Sequence, residues 1–321
     1  MIEIWKTASN EELVELSISE AQSGSWFNLI NPTYEEIQKV SLVLDLDESF
    51  LRNSLDLDER SRIEFEDGHL LVIINVPVME DEEGVFDTLP LGIIFTPTSF
   101  ITVCSRENKI IQSFNKDTSK FFDTELRTPF MLNILFRSTR FYLRCLDRII
   151  KQSDVIEDEL KRTAKNQSLF QLFEIQKSLV YFTTALKDNY LVLQKILRMS
   201  NNPNSVGGLL KFSEHDVDLL EDVIIENKQA VEMVEMHRTI LEGLMDAFTG
   251  IISNNLSNVM KFLTAITIVL AIPTMIGSFW GMNVTVPWEQ EGNLFGFWII
   301  LVFCFMASVA AAILLRRKGM F

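Results

Sequence analysis

Cysteine is scarce in this 321-residue sequence, and its three copies, Cys104, Cys145 and Cys304, lie far apart, the last inside an apolar run. That spacing excludes a disulfide scaffold and a CxxC metal site, and it suits a reducing compartment. Histidine is equally rare. His69, His215 and His237 show no metal-ligand spacing and read as ordinary surface or core residues. The GxSxG, HExxH and GxxxxGK[ST] motifs are missing, so nothing points to an enzyme, and neither a nucleotide cofactor nor ATP coupling is expected. The N-terminus, MIEIWKTASNEE, lacks a basic segment followed by an apolar core, so no cleaved signal peptide is expected. Basic residues are few through Phe100, with 5 Lys or Arg against 21 Asp or Glu. Nucleic acid is therefore not expected as a partner, since phosphate binding needs the opposite sign, whereas cations are compatible ligands. An acidic surface kept for solubility gives the same composition.

What is present divides into two styles. To about residue 125 the sequence reads as mixed α and β. Trp26 to Ile30 is a short apolar strand. Asn31-Pro32-Thr33 followed by Glu35-Glu36 starts a helix, with proline in the first turn and acids near the positive end of the dipole. Arg62 to Phe65 and Leu70 to Val76 flank Asp67-Gly68, a hairpin signal. Val85 to Phe95 and Phe100 to Val103 are further strands, so a sheet with surrounding helices is expected. From Pro129 long helices take over, one to about Thr163 and one from Leu169 to about Arg198. Asn201-Asn202-Pro203-Asn204 and Gly207-Gly208 break the chain. Ser213 then offers an N-cap, with Asp216 three residues on. No proline follows until Pro273. One helix from there to Trp280 would be roughly 100 Å long, which requires bundling with other helices or other copies.

Two uncharged, mostly apolar runs close the sequence, Phe262 to Trp280 and Phe295 to Leu315. Each is long enough to cross ~30 Å of hydrocarbon as a helix. Lys261 precedes the first, Arg316, Arg317 and Lys318 follow the second, and the segment between them has no Lys or Arg. The positive-inside rule puts both termini in the cytoplasm of a two-span membrane protein. In the first run Thr264, Thr267, Ala271, Thr274 and Ser278 recur every three or four residues and so share a helix face. Such a stripe can line a wet path. Alternatively, its hydroxyls bond back to their own helix or pack against a neighbour. The second run, with Phe295, Phe297, Trp298, Phe303 and Phe305, reads as lipid-facing. One hairpin cannot enclose a pore, so a lined path implies a cyclic homo-oligomer.

The first run ends in Phe279-Trp280-Gly281-Met282-Asn283. This resembles the aromatic-Gly-Met-Asn signature of the CorA family of divalent-cation channels, placed as there after the first of two C-terminal spans. Ser257-Asn258-Val259-Met260-Lys261 and WFNLINPTYEE (Trp26 to Glu36) also look like that family, and the resemblance covers nearly the whole chain.

The resemblance implies an α+β cytoplasmic domain over 1–125, a cytoplasmic long-helix stalk over 126–261 and a pore-lining span over 262–280. An external loop over 281–294, an outer span over 295–315 and a basic cytoplasmic tail over 316–321 complete it. It implies a funnel-shaped homopentamer in the cell membrane, in contact with lipid, carrying magnesium down its electrochemical gradient. The family's selectivity ring falls on Gly281, Met282 and Asn283. Its pore-facing positions fall on Ser257, Met260, Leu263, Thr267, Ala271, Thr274 and Ser278 as well as Asn283. Its regulatory metal position falls on Asp246, with partners expected within Asp81-Glu82-Glu83, so that bound magnesium closes the channel. Three departures stand out: Trp280 replaces the usual tyrosine, Ala271 a methionine, and Ser257 a common asparagine. Glu289 and Glu291 could draw cations electrostatically, or serve only loop solubility. A carrier of zinc, cobalt or nickel, and a non-transporting membrane scaffold or sensor, are the competing readings.

Overall fold

Period-two burial, with both faces apolar, shapes the first half of the chain. The computed structural model describes residues 1–8, 12–79, 86–163, 166–202, 206–282 and 295–320, with the side chains at 162, 163 and 166 excepted. By their contacts they form two compact units, Met1–Gly243 and Leu244–Phe321.

In the first unit a seven-stranded sheet comprises β1 (Ile2–Thr7), β2 (Leu13–Glu15), β3 (Trp26–Ile30), β4 (Arg62–Glu66), β5 (His69–Met79), β6 (Phe86–Phe95) and β7 (Phe100–Cys104). Their order is β2-β1-β3-β7-β6-β5-β4. Among the described strands only β3 and β7 pair in parallel. The hairpin between β4 and β5 turns through Asp67 (φ 48°) and Gly68 (φ 79°), the left-handed pair that a two-residue turn needs.

Successive side chains of β5 point to opposite sides. Leu70, Val72, Ile74 and Val76 join one core, and Leu71 and Ile73 the other. Burial on both faces explains the near-continuous apolar runs of β5 to β7. The smaller core is covered by α1 (Tyr34–Leu44) and α2 (Glu48–Asn53). Thr33 caps α1: its Oγ1 accepts from the Glu36 amide at 3.3 Å, and Glu36 Oε2 accepts from the Thr33 amide at 2.8 Å. Pro32 therefore lies just outside the helix instead of in its first turn, because Thr33 takes the cap. Gly92 of β6 allows α2 to approach, since a Cβ there would collide with the Ser54 side chain.

The larger core lies under α4 (Arg127–Thr163), α5 (Asn166–Ser200) and the start of α6 (Glu214–Trp280); the short α3 (Lys109–Gln112) adds Ile110 and Ile111. The residues before and after 125 thus share this core. The ring of Trp26 meets that of Phe130 edge-on at 5.0 Å and Phe114 packs on the same ring at 5.2 Å, fixing the start of α4. Ser213 caps α6 as its sequence implies, with the Asp216 amide donating to Ser213 Oγ at 3.2 Å and the Ser213 amide to Asp216 Oδ2 at 2.8 Å. Lys187 and Glu235 join α5 to α6 at 2.5 Å, and the ammonium's hydrogen bond and charge lower the carboxyl's pKa.

A buried polar knot fixes the helices to the sheet. β4 begins at Arg62, opposite Ile73, so Asn75 has no strand partner on that edge. Asn189 of α5 replaces one: its Oδ1 accepts from the Asn75 amide at 2.9 Å and its Nδ2 donates to the Asn75 carbonyl at 2.8 Å. Tyr142 of α4 donates to the same carbonyl at 2.9 Å. Losing one partner of a buried group costs more than losing a bond between exposed ones. Asn189→Leu is expected to destabilise the chain by about 2 kcal/mol or more, and Tyr142→Phe, which leaves the carbonyl one donor, by about 1 kcal/mol. Thermal unfolding midpoints should rank wild type, Tyr142→Phe, Asn189→Leu in falling order; equal midpoints contradict the pinning role.

Candidate functional site

The second unit contains the two apolar runs. The first forms the end of α6, continuous through Trp280, and the second forms α7 (Phe295–Arg317). Both have the length and composition of membrane spans, and the apolar stretch of α6 is only 6% buried, that of α7 0%. A core helix of a soluble protein buries such residues. Here Leu270, Met275 and Phe279 on α6 and Phe295, Phe303 and Phe305 on α7 are each at least 60% exposed. A contiguous apolar surface of this kind needs lipid or other protein around it.

Exposure within the α6 span is not uniform. Its less exposed positions are Ala265, Ile266, Val269, Ile272, Ile276 and Trp280. At 100° per residue this set lies on the opposite side of the helix from Thr267, Ala271, Thr274 and Ser278. The hydroxyl stripe is therefore the fully open side. Met260 and Leu263 continue it and are 54% and 55% exposed. Ser257 is also exposed but falls roughly 80° around a straight helix from Thr267, at the margin of the stripe. On α7 the less exposed positions include Gly296, Ile300, Cys304, Ala307, Ala311 and Leu315, again one face and mostly small.

The threonine hydroxyls have defined directions. Thr264 donates to the Met260 carbonyl at 2.8 Å, Thr267 to Leu263 at 2.9 Å and Thr274 to Leu270 at 3.1 Å. The back-bonding alternative is thus real, and it carries a chemical consequence. A hydroxyl whose proton is engaged offers only acceptor lone pairs outward. The stripe is a column of acceptors, suited to groups that donate hydrogen bonds, such as the water shell of a cation.

One relevant feature lies outside the expected site set. Pro273 sits inside α6 and has no N–H, so the Val269 carbonyl loses its helical donor. The proline was plain in the sequence, but only the unbroken helix shows that it frees a carbonyl within the span.

Gly281 and Met282 follow α6 directly. The Gly281 amide donates to the Gly277 carbonyl at 3.0 Å, extending the last turn. A Cβ on Gly281 would stand 3.4 Å from that carbonyl oxygen, an ordinary contact, so the fold of one chain does not demand glycine there. Asn283, Glu289 and Glu291 lie outside the described residues, as do Asp81, Glu82 and Glu83. Asp246 is exposed on α6, and no cluster of three or more His, Cys, Asp or Glu placed to hold a metal occurs among the described residues.

The family model for CorA-like Mg2+ transporter proteins matches residues 21–317. The chain belongs to the CorA-like family. Among its CorA relatives, the cobalt/magnesium transport protein CorA of Methanocaldococcus jannaschii is 26% identical over 327 residues, covering 99% of each chain. The magnesium transport protein CorA of Helicobacter pylori is 22% identical, covering 92% of this chain and 90% of its own. The complete CorA structure from M. jannaschii superposes over 100% of this chain and 99% of its own, with a TM-score of 0.81 at 23% identity. The full-length CmaX structure gives 0.72 at 15% identity. The expected architecture, an α+β domain followed by long helices and two terminal apolar helices, is that of the CorA fold.

Proposed function

We propose that the protein is a membrane channel that carries magnesium into the cell down its electrochemical gradient. The observation that carries this reading is the open column of hydroxyl acceptors on α6, opposite the helix's less exposed face, in a chain of the CorA-like family. Its relatives' names specify magnesium, and in some cobalt as well. Import and a preference for magnesium are our inference.

A hairpin offers one wall of a path, so several copies, five by analogy with the family, surround a common axis with their stripes inward. The spans are 262–280 and 295–315, the termini lie in the cytoplasm, and the segment 281–294 lies outside. The distribution of Lys261, Arg316, Arg317 and Lys318 supports that orientation. The residues of 1–125 and 126–261 are then cytoplasmic, and 316–321 is a basic inner tail.

Magnesium sheds its waters reluctantly. Its shell presents hydrogens outward, and Thr267, Thr274 and Ser278 receive them along the path, with Ala271 leaving room. Gly281, Met282 and Asn283 form the outer entrance, where amide oxygens accept from the hydrated ion without the strong hold of a carboxylate ring. Glu289 and Glu291 raise the cation concentration nearby. Met260 and Leu263, with Ser257 beside them, form the inner constriction, which closes by losing water. Inward movement gains about 2.3 kcal/mol per charge per 100 mV of potential, roughly twice that for a divalent ion, so no nucleotide is needed.

Closure follows from charge. Asp246 with carboxylates of a neighbouring copy, Asp81, Glu82 or Glu83 among the candidates, binds intracellular magnesium. The bound ions screen repulsion and hold the copies together in the closed state. Asp246 is exposed on α6, which leaves its carboxylate open to a neighbouring copy.

In proteoliposomes with an inside-negative potential, the wild type should take up magnesium and Asn283→Ala should lose most of that flux. Equal flux from the two removes the entrance assignment, and no flux from the wild type removes the channel. Asp246→Lys is expected to conduct at internal magnesium concentrations that silence the wild type; unchanged inhibition rejects the regulatory site.

A further inference from the structure

An acidic protein concentrates arginine on one helix face. Arg137, Arg140, Arg144 and Arg148 of α4 follow one another at intervals of three, four and four residues and so share that face. All four line one groove of about 980 Å3, together with Phe121 and Phe136. Its carboxylates are Asp147, which pairs with Lys151 at 2.7 Å, and Glu226, which reaches Arg140 only at 3.9 Å. Four guanidinium groups and one ammonium thus meet two carboxylates. Arg144 and Arg148 have no ion pair among the described residues.

The guanidinium groups are held ready. Arg137, half-buried, donates to the Ser113 carbonyl and hydroxyl at 2.7 Å each and stacks 3.9 Å over Phe114. Arg140 lies 5.1 Å over Phe136, and Arg144 5.3 Å over Phe141. Arg137 commits its Nη1 to Ser113, whereas Arg140 and Arg144, each set over a ring, keep further N–H groups for the paired grip on phosphate oxygens. At the groove margin Phe121 is 73% exposed, unusual for so large an apolar ring and suited to stacking on a flat base.

We propose that this groove binds a nucleoside triphosphate, with the phosphates on Arg140, Arg144 and Arg148, anchored at Arg137, and the base on Phe121. The binding site stands or falls independently of the transport reading.

Calorimetric titration of ATP into the full chain, purified in detergent with EDTA, tests it. One saturable site per chain, tighter than about 1 mM, is expected. Arg144→Glu/Arg148→Glu, at exposed positions, should weaken it at least about tenfold, and Arg144→Gln/Arg148→Gln should do so as well. Tripolyphosphate should bind more weakly than ATP, and Phe121→Ala should remove the difference. Absence of a saturable site, or ATP binding indifferent to both arginine pairs, overturns the proposal. Equal affinities for ATP and tripolyphosphate in the wild type overturn the placement of the base.

Discussion

Hydroxyl groups on the open side of an apolar helix are the constraint around which the second unit is organised. Thr267 and Thr274 satisfy their protons within α6, at 2.9 and 3.1 Å, yet keep acceptor oxygens outward with no partner among the described residues. Hydrocarbon offers nothing to those oxygens, and each one left unanswered there carries a cost. We infer that water or ions meet them in the assembled channel, since a single hairpin can enclose neither. The exposed aromatic side chains of α7 have the opposite preference. A ring of copies with α6 inward and α7 outward satisfies both at once.

The first unit rests on a different principle. Its sheet is buried on both faces, and its weak point is the place where β4 stops short of Asn75. Asn189 and Tyr142 close that gap with three hydrogen bonds from two helices. The same arrangement leaves one side of α4 free of core duties, and there the arginines accumulate.

Much of this was legible in the sequence, for identifiable reasons. β5 and β7 announced themselves by apolar runs, the hairpin by Asp67-Gly68, and α6 by the Ser213 and Asp216 cap. These are local signals whose tertiary setting agrees with them. β1 and β2 are not legible there, because Ile2–Thr7 alternates apolar residues with Glu3 and Lys6 too briefly to separate from a loop, and Leu13–Glu15 has three residues. α2, six residues long, is too short to show a helical period. The stripe on α6 was readable from spacing, but its opposition to the covered face was not, since that depends on what packs behind Ala265 and Val269. The arginine groove escaped for the same reason. Arg137 to Arg148 read as ordinary positions in a long amphipathic helix until Phe114, Phe121 and Glu226 are brought beside them by the fold.

The most direct test is the reaction of single cysteines along α6 with a charged, water-soluble thiol reagent in the liposome-embedded protein. Cys104 and Cys145 are buried, and Cys304 would first be replaced by serine. Cysteines at 267, 271, 274 and 278 should react and be shielded by magnesium, and those at 265, 269, 272 and 276 should not. Reaction on the second set with protection of the first would mean that the hydroxyl face meets no water, and the account of this protein as a channel would be wrong.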